Sequence, residues 1–273
     1  MTKPYAEVIG DPIAHSKSPL IHNFWLEKLG IEGDYRATRV TADELPAYLT
    51  DRRADADWRG CNLTMPFKAV VGPLMDGLFV AAKAAGVVNT IFRFEDKLVG
   101  TNTDLRGFAA PFRDEFLERG SAMILGTGAA ARAAFISLAA LDFSPVLVTG
   151  RNDTKAREML NSLGQPDQPY PHPVDRPLPE LKLFVNASAA GMHGREPVAI
   201  DLSPLPTDAI VYDIVYDPLE TELLTQARHR GLRTIDGLTM LIGQARASFV
   251  HFFETASEPS GDFDAELRKR LTS

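Results

Sequence analysis

Apolar positions along this chain recur at two spacings, strand-like and helix-like, and their order sets out the elements. Tyr5 to Gly10 is a short apolar run that predicts a first strand, followed by a polar loop from Asp11 to Lys17. Ser18-Pro19 then opens a helix, with Ser as N-cap and Pro at its first position; Leu20, Ile21, Phe24, Trp25 and Leu29 line its apolar face and Gly30 closes it. Tyr35 to Val40 predicts a second strand, and Thr41-Ala-Asp-Glu44 a capping box for a short helix to about Leu49. Cys61 to Thr64 is a strand. Pro66 begins a helix that Pro73 cuts short, Gly77 to Ala85 a further one, and Val87 to Phe94 with Leu98 to Thr101 form a hairpin around Glu95-Asp96.

The second half alternates more regularly. Asp104 caps a helix expected to reach about Arg119. Strands follow at Met123 to Leu125, Val146 to Thr149, Leu183 to Asn186, Ile210 to Asp213 and Arg233 to Ile235. Helices at Ala129 to Leu141, Asp153 to Leu160 and Thr221 to Arg230 separate them, with a Pro-rich loop from Gln165 to Pro179. Strands alternating with helices imply a parallel sheet. Leu238 to Phe253 is a long helix with little sheet left to follow it, so it returns to the first domain; Glu254 to Gly261 reads as a loose linker to a short charged helix. The expected organisation is therefore α/β: a first domain of residues 1–103 completed by 239–273, and a Rossmann-type domain of residues 104–238.

Composition narrows the function. With 273 residues, 45% of them hydrophobic, the chain can bury one large core or two modest ones. A net charge of −7 and an isoelectric point near 5.4 argue against nucleic acid or an anionic membrane as partner. Cys61 is the sole cysteine, which excludes an internal disulfide and fits a reducing cytoplasm. No uncharged apolar run is long enough to span a bilayer; Arg132 interrupts the best candidate. No pair among the six histidines has metal-ligand spacing, so no metal is expected.

Chemistry concentrates in a few stretches. After the strand at Met123 comes Gly126-x-Gly128-x-x-Ala131, a tight turn feeding a helix. It suits a dinucleotide pyrophosphate: the turn at Gly126 and Gly128 lets backbone come close, and the helix start at Ala129 and Ala130 offers free N–H groups at a positive dipole end, although such glycines also serve plain strand-to-helix turns. No carboxylate ends the next strand; Arg151 and Lys155 stand there instead and suit the 2′-phosphate of NADP, or merely a solvated helix start. In the first half, Asn62 and Thr64 share one side of a strand end, Lys68 begins the following helix, where the dipole would ease release of its proton, and Ser16 and Ser18 stand at another helix start. Singly, Ser18 and Thr64 also read as caps, Lys68 as a solvated side chain and His15 as a loop-fixing hydrogen bonder.

Taken together and in order, these motifs resemble the shikimate dehydrogenase family nearly end to end. His15-Ser-Lys-Ser-Pro19 resembles its substrate signature, Asn62-Leu-Thr-Met-Pro-Phe-Lys68 its catalytic-lysine segment, and Val88-Asn89-Thr90 and Gly100-Thr-Asn-Thr-Asp104 its substrate asparagine and catalytic aspartate. Asp213-Ile-Val-Tyr-Asp-Pro218 and Asp236-Gly-Leu-Thr-Met-Leu-Ile-Gly-Gln244 resemble the nicotinamide wall and substrate glutamine. The resemblance implies NADPH-dependent reduction of 3-dehydroshikimate in aromatic amino-acid biosynthesis, in a cleft between the two domains. It implies Lys68 and Asp104 as catalytic residues, with Ser16, Ser18, Asn62, Thr64, Asn89, Tyr216 and Gln244 on the substrate. Asn152, Ala187, Ile214 and Gly237 join the glycine turn, Arg151 and Lys155 on the cofactor.

Departures from the family pattern fall mostly in the cofactor half: Ala129 for glycine, Gly150-Arg151-Asn152 for Asn-Arg-Thr, and Ser188-Ala189 for Thr-Ser. Arg246 replaces a small residue, and no tryptophan follows Phe249. Quinate or an amino analogue of shikimate is the alternative substrate, and a silent NADP-binding sensor the alternative of another class. Small molecules are the expected ligands, and a monomer or homodimer the expected state.

Overall fold

The computed structural model describes residues 3–113, 119–165 and 179–272. The chain divides into two compact units, one of Met1–Thr103 with Ile242–Ser273 and the other of Asp104–Leu241. The first unit begins β1 (Tyr5–Gly10), α1 (Ser18–Leu29), β2 (Asp34–Arg39), α2 (Leu45–Ala54) and β3 (Trp58–Leu63), and continues β4 (Gly77–Leu78), α3 (Val80–Ala85), β5 (Thr90–Phe94) and β6 (Lys97–Thr101). Its sheet runs β2-β1-β3-β5-β6-β4, with β1 parallel to β2 and β3 and the β5–β6 hairpin antiparallel to β3. Alternation along the strands gives the sheet two apolar faces. Ile9, Cys61, Leu63 and Ile91 pack with Tyr48 and Leu49 of α2, while Ala6, Val8, Tyr35, Phe92 and Val99 pack with Phe252.

Glu7, also in β1, is only 1% exposed, and its carboxylate accepts from Arg52 Nε at 2.7 Å, Tyr48 OH at 2.7 Å and Thr38 Oγ1 at 2.5 Å. Burial alone would push this carboxyl up; the three donors outweigh it and hold the group below the usual range. Three local expectations are corrected here. Ser18 lies inside α1, whose N-cap is Lys17. Only half the capping box forms: Glu44 accepts from Thr41 N and Thr41 Oγ1, so the threonine hydroxyl is spent on the carboxylate, and α2 starts at Leu45 and runs past Leu49 to Ala54. The segment from Gly77 does not open as a helix, because Gly77-Leu78 pairs with β6 and Phe79 N bonds Gly100 O at 2.8 Å.

The second unit comprises α4 (Asp104–Ala109), β7 (Ala122–Leu125), α5 (Ala129–Ala140), β8 (Val146–Thr149), α6 (Asp153–Ser162), β9 (Leu183–Asn186), β10 (Ile210–Asp213), α7 (Glu222–His229), β11 (Arg233–Ile235) and the start of α8 (Gly237–Phe253). Its five strands are all parallel in the order β11-β10-β9-β7-β8, so the chain steps from β7 out to β8 and then crosses back to β9 on the other side of β7. Ile124, Val148, Val185 and Tyr212 face Phe108, Phe135 and Met159; Met123, Phe184 and Val211 face Leu202, Leu205 and Leu224. Helices or apolar loop thus cover both faces, as a parallel sheet requires. The helix expected from Asp104 to Arg119 gives way after Ala109 to a 3-10 turn at Ala110–Phe112, where Pro111 lacks the N–H that would continue it. The remainder of that segment, and most of the loop expected from Gln165 to Pro179, lie outside the described residues.

Beyond α8, α9 (Asp264–Thr272) buries Leu267 and Leu271 and joins α1 through Lys28–Glu266 at 2.7 Å and through Lys17 Nζ on Leu271 O at 2.9 Å. The linker is not loose. Arg246, the residue where the family pattern has a small side chain, donates to Pro259 O at 3.1 Å and pairs with Asp264. Among the described residues no helix is long and apolar enough to cross a membrane.

Candidate active site

Within the first unit, backbone hydrogen bonds gather the singled-out residues at the carboxyl ends of β1 and β3. Thr64 N bonds Ile9 O at 3.0 Å, Leu63 N bonds Asn89 O at 2.7 Å, and Val88 N bonds Lys68 O at 2.8 Å. These register the stretch from Asn62 to Lys68 against both β1 and the start of β5. Gly10 allows the loop from Asp11 to Lys17 to lie against Thr64: a Cβ there would stand 2.4 Å from Thr64 Oγ1. In that loop Ser16 Oγ accepts from Ser18 N at 3.3 Å, a turn contact across the N-cap Lys17, and the Ser18 hydroxyl does not cap the helix. Asn62, Asn89 and Gln244 are buried, Lys68 and Thr64 half-buried. Gln244 lies one helical turn before Ser248, whose Oγ is 3.3 Å from Asn62 Oδ1, so α8 brings its glutamine to this edge.

Lys68 does not begin an α-helix. Met65-Pro66 leads into a 3-10 turn of three residues, Phe67–Ala69, and a second such turn, Gly72–Leu74, follows. So short a turn has no macrodipole, and the dipole assistance expected for Lys68 is withdrawn.

In the second unit, Asp104 is buried in the first turn of α4. The glycine turn leaves the carboxyl end of β7, where the sheet reverses strand order and where such sheets bind ligands. Gly126 has φ of 132° and a Cβ on it would stand 2.6 Å from Ala187 O, so glycine is required by the protein itself. Gly128 differs: φ is −88° and a Cβ would meet nothing within 4 Å. Its missing side chain leaves room at the start of α5, beside the N–H groups of Ala129 and Ala130. Exposed Arg151 and Lys155 flank Asn152, whose Oδ1 caps α6 by accepting from Lys155 N at 3.1 Å. Gly237 packs where a Cβ would stand 2.3 Å from Val215 O, and Ile214 and Tyr216 follow β10; burial, then Asp217, raises the Tyr216 phenol.

Sequence reasoning missed the groups behind these positions. Asp213 accepts from Asn186 Nδ2 at 2.9 Å, Val215 N at 3.0 Å and Thr221 Oγ1 at 2.7 Å, tying together the loops after β9 and β10. Burial raises its carboxyl and these donors oppose the shift. Tyr35, Thr90 and Thr103 were missed likewise: Tyr35 OH donates to Asn62 Oδ1 at 2.6 Å, and both threonines touch Asn89. Their signal was available, since polar residues buried beside two asparagines need partners. Among the described residues no group of three His, Cys, Asp or Glu side chains could hold a metal.

Comparison with known proteins bears on the same stretches. Residues 8–91 match the profile of the shikimate dehydrogenase substrate binding domain. The NADP-dependent shikimate dehydrogenase of Sphingopyxis alaskensis is 51% identical over 271 residues, covering 99% of this chain and 97% of that protein. The shikimate 5-dehydrogenase of Thermus thermophilus, solved in complex with NADP(H) and shikimate, superimposes with a TM-score of 0.87 at 31% identity over 98% of this chain and 99% of that one. The quinate dehydrogenase of Corynebacterium glutamicum, solved with NAD, also gives 0.87, at 26% identity over 98% and 99% of the two chains.

Proposed function

This chain belongs to the shikimate dehydrogenase family, and from that premise we propose that it interconverts 3-dehydroshikimate and shikimate with NADP(H) in the route to chorismate and the aromatic amino acids. The observation that carries this reading is the convergence of Asn62, Thr64, Lys68 and Asn89, with Ser16, Ser18 and Gln244, at one edge of the first unit. Such a set of hydroxyl, amide and ammonium groups suits a polyhydroxy carboxylate. Lys68 and Asp104 serve as the proton-handling pair, and Tyr216 completes the substrate contacts.

The second unit holds NADP, which when bound supplies the hydride. Room at Gly128 and the free N–H groups of Ala129 and Ala130 at a helix twelve residues long fit a pyrophosphate. Arg151 and Lys155, with Asn152 between them, take the 2′-phosphate, since no carboxylate ends β8 to favour the bare ribose of NAD. Ala187, Ile214 and Gly237 line the nicotinamide end. Quinate with NAD ranks lower because the relative named for quinate and solved with NAD is the more distant one. A silent sensor ranks lower still, because Lys68 and Asp104 are both present. The protein acts in the cytoplasm as a monomer or homodimer.

The test is direct: purified protein with shikimate and with quinate, each with NADP and with NAD, followed by absorbance of the reduced nicotinamide. Shikimate with NADP is expected to give the highest kcat/KM. A preference for quinate, or for NAD, would overturn that part of the reading.

A further inference from the structure

The two asparagines assigned to the substrate are joined beneath the site by a chain of buried hydrogen bonds, all within the first unit. Thr103 N donates to Asn89 Oδ1 at 2.7 Å. Because a backbone N–H can only donate, this bond fixes which end of the Asn89 amide is oxygen. Thr90 Oγ1 lies 2.8 Å from that same oxygen. Between a carbonyl oxygen and a hydroxyl only the hydroxyl carries a proton, so the single proton of Thr90 is spent on Asn89. Thr90 can then only accept from its other neighbours, and the Asn62 atom 2.9 Å away must be the amide nitrogen. Asn62 Oδ1 is thereby turned toward Tyr35, whose OH donates to it at 2.6 Å. Tyr35 is wholly buried and its phenol is held well above the usual range by burial, so it keeps its proton. The ring is fixed in turn by His22, stacked on it at 4.0 Å with planes 3° apart.

One backbone N–H therefore dictates, through steps that each permit a single proton arrangement, the orientation of an amide on another strand. Asn62 is left with one amide hydrogen outside this chain of bonds, which remains able to donate. We propose, resting on the functional reading above, that Thr90 is a positioning residue that locks Asn62 and Asn89 in these orientations, so that Asn62 meets an acceptor oxygen of the substrate. Thr90 itself is completely buried and touches substrate only through the two amides. Its hydroxyl is fully used: one proton donated to Asn89, one lone pair taken by Asn62, and Thr103 Oγ1 at 3.2 Å on the other.

Steady-state kinetics of shikimate oxidation by NADP, on wild type and the variants Thr90→Val, Thr90→Ser and Tyr35→Phe, test this. Thr90→Val keeps the shape but removes the hydroxyl, and should raise the shikimate KM about tenfold, the scale of one or two buried hydrogen bonds lost, with the NADP KM within about twofold. Thr90→Ser keeps the hydroxyl and should restore the shikimate KM to within about threefold of wild type. A packing defect alone would not be rescued in this way. If Thr90→Val does not fold, Tyr35→Phe, which frees Asn62 Oδ1, should raise the shikimate KM severalfold and again spare that for NADP. An active wild type whose Thr90→Val and Tyr35→Phe variants keep its shikimate KM overturns the relay and leaves the functional reading intact, as do equal losses in Thr90→Val and Thr90→Ser. A wild type that oxidises no shikimate overturns both.

Discussion

His22 is the residue whose chemistry departs furthest from its surroundings. It is completely buried among Trp25, Tyr35, Phe249 and Phe252, neither ring nitrogen has a hydrogen-bond partner, and burial lowers it to about 3. It is neutral when folded, whereas the unfolded chain protonates it below its ordinary value of about 6.5. The stability it permits is thus complete above that value and is lost as pH falls toward 3. Near pH 5 the loss amounts to about 2 kcal/mol. Urea unfolding near pH 7 and near pH 5 should show wild type losing about that much more than His22→Leu; equal losses would assign the acid sensitivity to other groups. Lys68 gives the other prediction at this scale. Lys68→Ala should lower kcat by roughly 10²–10⁴ with little change in shikimate KM. Adding Asp104→Asn should then cost much less than in wild type, because a proton-handling pair is non-additive. Additive losses in stopped or continuous assays would separate the two. Lys68 was singled out in the sequence because it is a polar residue in an apolar setting and stands in a motif. Tyr35 and Thr90 were not, since on a strand they read as ordinary β formers and only the fold shows which amides they face.

Among the elements, the glycine turn after β7 makes two glycines with different reasons separable. Gly126→Ala must strain a backbone at φ 132° and push against the Ala187 carbonyl, so it should lower the melting temperature and NADP affinity together. Gly128→Ala meets no protein atom within 4 Å and has an ordinary φ, so it should leave the melting temperature nearly unchanged while weakening NADP at least tenfold. Calorimetric melting and cofactor titration on the two variants check this; a Gly128→Ala protein with unaltered NADP affinity would remove the turn from the cofactor site. Most strands of the parallel sheet were legible at their observed bounds because strands buried on both faces are continuous apolar runs. Helix starts were less legible. Thr41 and Glu44 spell a capping box, yet the carboxylate takes the hydroxyl that should have capped. Pro66 and Pro73 frame two 3-10 turns rather than one helix, because the pattern of prolines marks where a helix is broken but not which hydrogen bonds replace it.

At the scale of the molecule, the second unit is one continuous stretch while the first is built from segments on either side of it. α9 supplies the Leu271 carbonyl that receives Lys17, the residue between Ser16 and Ser18, and Arg246 anchors the segment leading to it. Removing residues 259–273 should therefore raise the shikimate KM several-fold and lower the unfolding temperature of the first unit, with NADP affinity retained. Kinetics and melting of the truncated protein would test it, and an unchanged KM would show that α9 only covers surface. The long helix with no sheet after it is the sequence feature that points the chain back to its first part. The clasp of α9 on α1 left no sign in the sequence, because charged surface pairs such as Lys28–Glu266 and Arg270–Glu27 leave no periodic trace. The same interrupted plan fixes an order of events on the ribosome. Residues 104–241 are synthesised together, with every strand of their sheet, before Ser248 and Phe252 are added to close around Asn62 and Tyr35. A product ending in that interval and released would hold every strand of the second unit and lack the residues that complete the first, so it is expected to sequester cofactor but turn over no substrate.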